Sequence, residues 1–229
     1  MSATSSRPDR RAERMGDAQR GRHFALLAQG FRPFFLLAGI WALLGVTLWA
    51  GALSGLSVPD GPLALVRWHG HEMLTGFVGA AIAGFLLTAV PNWTGRRGYA
   101  GAPLVIAVTV FLAGRIALLP GSPLPIGIAA PIALLGLPTL LLLVLPSLVK
   151  AAQPRLFGPP LIVLVFWTGD LLMLGGEADW WQAETWRLGQ LLSANAALAL
   201  AEQSGGGRVA AFERNALRKT GRPAEPQPL

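Results

Sequence analysis

No cysteine occurs among the 229 residues. That absence excludes disulfides, thiolate metal sites, cysteine-ligated iron–sulfur clusters and the CxxCH attachment of a covalent haem. Charge is scarce as well: 14% of the chain is charged, where a soluble domain carries about 25%. There is no Ser/His/Asp constellation, no phosphate-cradling glycine loop and no nucleophile elbow, so nothing supports hydrolytic or nucleotide chemistry. What the chain does have is hydrocarbon. Hydrophobic residues make up 52% and mean hydropathy is +0.49.

The apolar residues are bunched. No charge interrupts Phe34 to Val58, Met73 to Trp93 or Ile116 to Val149, and roughly 18 apolar residues suffice to cross a bilayer. The reading is an all-α, polytopic transmembrane bundle of about six spans, at about 34–55, 72–91, 102–119, 126–149, 157–175 and 186–201. The bundle proper occupies 31–201, between a disordered basic tail at 1–30 and a basic tail at 202–229. The first apolar run is too long, and begins too late, for a cleaved signal. Pro131, Pro138 and Pro146 predict kinks in the fourth span, with freed carbonyls satisfied by neighbouring helices.

A net charge of +7 with a pI near 11.4 fits nucleic acid only if the base is gathered on one face. Here it sits in the tails and short connections, which excludes that partner and points to membrane lipid. Arg7 to Arg32, Arg96 with Arg97, Lys150 with Arg155, and Arg208 to Arg222 alternate with base-poor connections. The positive-inside rule then places both termini in the cytoplasm. Gly79 with Ala83, and Ala80 with Gly84, are small pairs that allow close helix approach, so the second span is expected at the centre.

RWHGHEMLTGF, residues 67–77, puts His69, His71 and Glu72 at the outer mouth of that span. Residues two apart on a helix diverge by roughly 200°. His69 and His71 can therefore share one metal only if His69 lies in the preceding loop. Position 75 is Thr, so this is not the HExxH zinc signature. One reading leaves the three side chains in the headgroup region beside Trp68. The other makes the imidazoles ligands of haem iron or copper, with Met73 as a soft donor for copper(I). Arg115 and Asp170 lie about one turn from the outer ends of the third and fifth spans, at a similar depth. Intramembrane charges usually pair. Arg115 can pair with Asp170 or Glu72, snorkel outward, or hold an anionic group such as a haem propionate.

GFRPFFLLAG (30–39), WHGHEM (68–73), AGFLLTAVPNWTGR (83–96) and LAGRIALL (112–119) together resemble the NnrS family of bacterial membrane proteins. GGRVAAFERNALR (206–218) is similar to that family's GGRxIPxFTxN, but has only Ala210 and Ala211 before Phe212, and Glu213 after it. The resemblance implies a haem- and copper-containing protein of the bacterial inner membrane, linked to nitric oxide and nitrosative stress. It implies haem b and/or copper at His69 and His71; the residues themselves suggest Glu72 and Asp170 behind them and Arg115 on an anionic group. Nitric oxide would be the small-molecule ligand. Family members are about twice this length, with around twelve spans, so a homodimer or a separate second half is an implied partner. The alternative reading is a metal-free transporter or structural half-bundle.

Overall fold

The computed structural model describes residues 29–220, so the tail expected over 1–30, with His23, lies almost wholly outside the described residues, as do 221–229. Among the described residues the regular structure is entirely helical, in six helices. They are α1 (Phe31–Leu53), α2 (Leu65–Thr94), α3 (Ala102–Ala117), α4 (Ile126–Ala151), α5 (Gly158–Glu177) and α6 (Thr185–Thr220). Four of them, α1, α2, α4 and α5, are long and apolar enough to cross a membrane. The third is apolar but 16 residues long, about 24 Å at 1.5 Å per residue. The sixth runs past the expected end at 201 to Thr220, so the basic segment is helical over 202–220.

α2 is the central element, with 61% of its most apolar window buried against 28–44% for the other three long spans. Gly79, Ala80, Ala83 and Gly84 are all buried, and a Cβ on Gly84 would stand 3.2 Å from the Phe35 ring of α1. The small pairs thus admit α1. The helix ends at Gly95, whose φ of 66° gives the left-handed turn that closes it.

α4 bends at Leu135, between helical segments Ile126–Leu134 and Gly136–Ala151. Proline at 138 has no N–H to offer the carbonyl of Leu134. That oxygen instead accepts the Trp167 indole of α5 at 2.9 Å. The expected satisfaction by a neighbour is therefore visible at this carbonyl.

Contacts between connections fix the two ends of the bundle. At one end Gly30 packs on Tyr99, and the Tyr99 hydroxyl donates to Ser147 at 3.0 Å. Arg32, Arg96, Arg97 and Lys150 are at this end. At the other, the Gly121 amide donates to Asp60 at 2.9 Å and Arg67 pairs with Glu177. Arg32, Arg96, Arg97 and Lys150 therefore share one end, while Arg67 lies at the other. α5 and α6 cross at Gly169 and Gly189, where a Cβ on either would run into the backbone of the other helix.

Candidate functional site

α2 begins at Leu65, seven residues earlier than the apolar run suggested, so Glu72 stands about 10 Å along the helix. His71 and Glu72 are fully buried within the bundle, at 0% exposure. From Glu72 to Val78 the helix widens into a π-helix, a form that recurs at functional sites.

Four charged or ionisable side chains meet there. Arg115 of α3 donates from Nη1 to Glu72 Oε1 at 2.9 Å and to the Thr75 hydroxyl at 2.6 Å. Thr75 in turn donates to the His71 carbonyl at 2.9 Å. The Trp41 indole of α1 donates to the second oxygen of Glu72 at 2.5 Å. His71 lies between two carboxylates, with Nδ1 3.1 Å from Glu72 Oε1 and Nε2 2.7 Å from Asp170 Oδ1 of α5. Arg115 and Asp170 are each 2% exposed. Isolated charges so buried would cost several kcal/mol each. The depth argument therefore brought the right residues together: Arg115 takes Glu72, and Asp170 takes His71.

Sequence reasoning missed Trp41, Thr75 and Gly76. A Cβ on Gly76 would stand 2.6 Å from Glu72 Oε2 and would overlap the Trp41 ring, so glycine is what lets that bond form. Trp41 carried a usable signal. An indole deep in a span, away from the interface, has to find an acceptor.

His69 lies inside the helix, not in the loop before it. Its ring turns toward α1, stacking on Trp49 at 4.9 Å and 17°, with Nδ1 3.3 Å from the Gly45 carbonyl. Met73, four residues on, faces the same glycine: its Sδ is 3.6 Å from where a Gly45 Cβ would stand. The two histidines are thus not brought together. Both nitrogens of His71 lie within hydrogen-bonding distance of carboxylates, an arrangement that fits a structural imidazole. A proton on Nδ1 of His69, donated to Gly45, leaves Nε2 as a lone pair. His69 and Met73 both face Gly45, whereas the two imidazoles face different helices. Among the described residues no three His, Asp or Glu side chains are arranged to hold a metal ion.

A helical bundle with at least four membrane-length spans, closed around an intramembrane charge cluster, is a multi-pass membrane protein. The family model for NnrS protein matches residues 25–229. The chain belongs to the NnrS family. No curated protein and no solved structure matches it.

Proposed function

We propose that this NnrS-family protein binds copper, haem b or both through His69, near the outer face of the bacterial inner membrane, and acts in the response to nitric oxide and nitrosative stress. The observation that carries the reading is the shared face of His69 and Met73 over Gly45. It offers a neutral nitrogen and a soft sulfur on one element, a donor set suited to copper(I). A bound metal supplies the reactivity toward nitric oxide. The chain's own residues fix the imidazole: Gly45 orients the ring through Nδ1, and Trp49 holds its plane. The His71–Glu72–Arg115–Asp170 cluster ties α2 to α3 and α5, holding the helix that carries the ligands. In the membrane, α1 to α6 all span, with both termini in the cytoplasm.

A metal-free transporter or structural half-bundle is the second reading. The closure of the cluster on itself favours it, because each of its four ionisable side chains already has a partner. Metal analysis and an absorption spectrum of the detergent-purified chain separate the two. Bound copper or a Soret band that responds to nitric oxide is the expected result. A folded, colourless and metal-free protein contradicts the metal reading.

A further inference from the structure

At the end of the bundle away from Arg32, Arg96, Arg97 and Lys150, a cleft of about 460 Å³ opens between the first turns of α2 and α6. Val66 and Arg67 line it from α2, Glu184 from the connection before α6, and Trp186, Arg187 and Gln190 from α6 itself. Its depth is set by two membrane-length helices. Arg67 is the third residue of α2 and Glu177 the last of α5, and the two side chains pair. The cleft therefore stands where hydrocarbon gives way to headgroups. Trp180 and Trp181, in the connection from α5 to α6, are exposed, as indoles of an interfacial belt are.

The charges of the cleft differ in what they have left to offer. Arg67 is already engaged: Glu177 neutralises it, and its guanidinium lies 5.3 Å over the Trp186 ring. Among the described residues the side chains of Glu184, Arg187 and Gln190 have no hydrogen-bonding or ionic partner, although Glu184 and Arg187 are only three residues apart. Gln190 lies close against α2, its amide nitrogen 3.1 Å from where a Cβ on Gly70 would stand. The cleft thus presents one cation, one anion and one amide at the same level. A purely anionic ligand would meet Glu184 as a like charge, and a purely cationic one would meet Arg187. A ligand that carries both charges satisfies both.

We infer that this cleft binds the headgroup of a zwitterionic phospholipid, with its phosphate on Arg187 and Gln190 and its ammonium on Glu184. A guanidinium suits a phosphate because it can donate two parallel N–H bonds. A primary ammonium suits a carboxylate because it donates hydrogen bonds. A quaternary one needs an open aromatic face, and Trp186 is 6% exposed and already covered by Arg67. The headgroup class is therefore ethanolamine. The exposed side chain of Val66 gives the cleft an apolar edge for the acyl chains.

The inference rests on the spans α2 and α5 and does not need the metal. Native mass spectrometry of the full-length protein in detergent tests it, with phosphatidylethanolamine, phosphatidylcholine and phosphatidylglycerol of one acyl composition as probes. The first lipid bound should be phosphatidylethanolamine, favoured several-fold over the other two. Arg187→Ala should weaken that binding several-fold. Glu184→Lys should invert the preference toward phosphatidylglycerol, a gain that loss of fold cannot produce. Arg97→Ala, an exposed arginine at the opposite end, should leave the preference unchanged. Equal binding of the three lipids, a preference that survives both cleft substitutions, or one lost in Arg97→Ala overturns the assignment. Soluble phosphoethanolamine or inorganic phosphate binding as tightly as the lipid makes the cleft a solute site and overturns it too.

Discussion

At the scale of single residues, the cluster around His71 divides two roles that the sequence offered jointly to two histidines. RWHGHEM announced chemistry at membrane depth, and of its residues His71 and Glu72 meet Asp170 and Arg115 while His69 turns away to α1. The division was not legible, because it depends on what α1 and α5 present to the two rings. Gly45 and Trp49 meet His69, while Asp170 meets His71. None of those contacts leaves a local signature.

The energetic consequence is testable. Arg115→Met leaves Glu72 buried without its cation and should destabilise the fold by about 3–5 kcal/mol, read from denaturation in detergent. Pairing it with Glu72→Gln should recover much of that loss, since no charge is then stranded. A double variant no more stable than the single contradicts the pairing. Gly45→Ala makes a different separation. The added Cβ meets the flexible end of Met73, and alanine favours a helix by roughly 0.5–1 kcal/mol over glycine. The variant should hold its melting temperature and lose copper.

At the scale of elements, most of the helix inventory was readable, because hydrocarbon-length apolar runs leave little choice. α4 went further, since Pro138 marked both a bend and a stranded carbonyl, and Trp167 takes that carbonyl. The start of α2 was misjudged for a physical reason. Arg67 and His69 read as the edge of the membrane, yet Arg67 reaches Glu177 and lies over the Trp186 ring at 5.3 Å, while Trp68 is buried. Those contacts carry the helix back to Leu65. The π-helix of EMLTGFV had no sequence signal at all. Its residues suit an ordinary α-helix, and the bonds of Glu72 and Thr75 to α1 and α3 are tertiary.

The α5–α6 crossing gives a prediction with its own control. Gly169→Ala pushes a methyl into the Gly189 carbonyl and Ser193 and should cost about 1–3 kcal/mol by overpacking. Gly127→Ala on α4 has open space around it and should be neutral or slightly stabilising. Equal thermal shifts for the two would contradict the close approach.

At the scale of the whole molecule, the chain is an NnrS-family bundle. Arg32, Arg96, Arg97 and Lys150 share one end, and its buried charges lie toward the other. Topology can be read with the chain's cysteine-free background: Ser122→Cys should label from the periplasmic side, and Gly98→Cys should not. The reverse pattern would invert the bundle and set the proposed metal face toward the cytoplasm.

The central claim is that His69 and Met73 hold a metal while His71 holds the helices together. Metal content of purified His69→Ala, Met73→Leu and His71→Asn variants, measured beside their unfolding midpoints, tests it most directly. The account predicts folded, metal-depleted protein for the first two, and a destabilised protein for the third that keeps its metal wherever it remains folded. Full metal in His69→Ala, with loss in a stable His71→Asn, would contradict it.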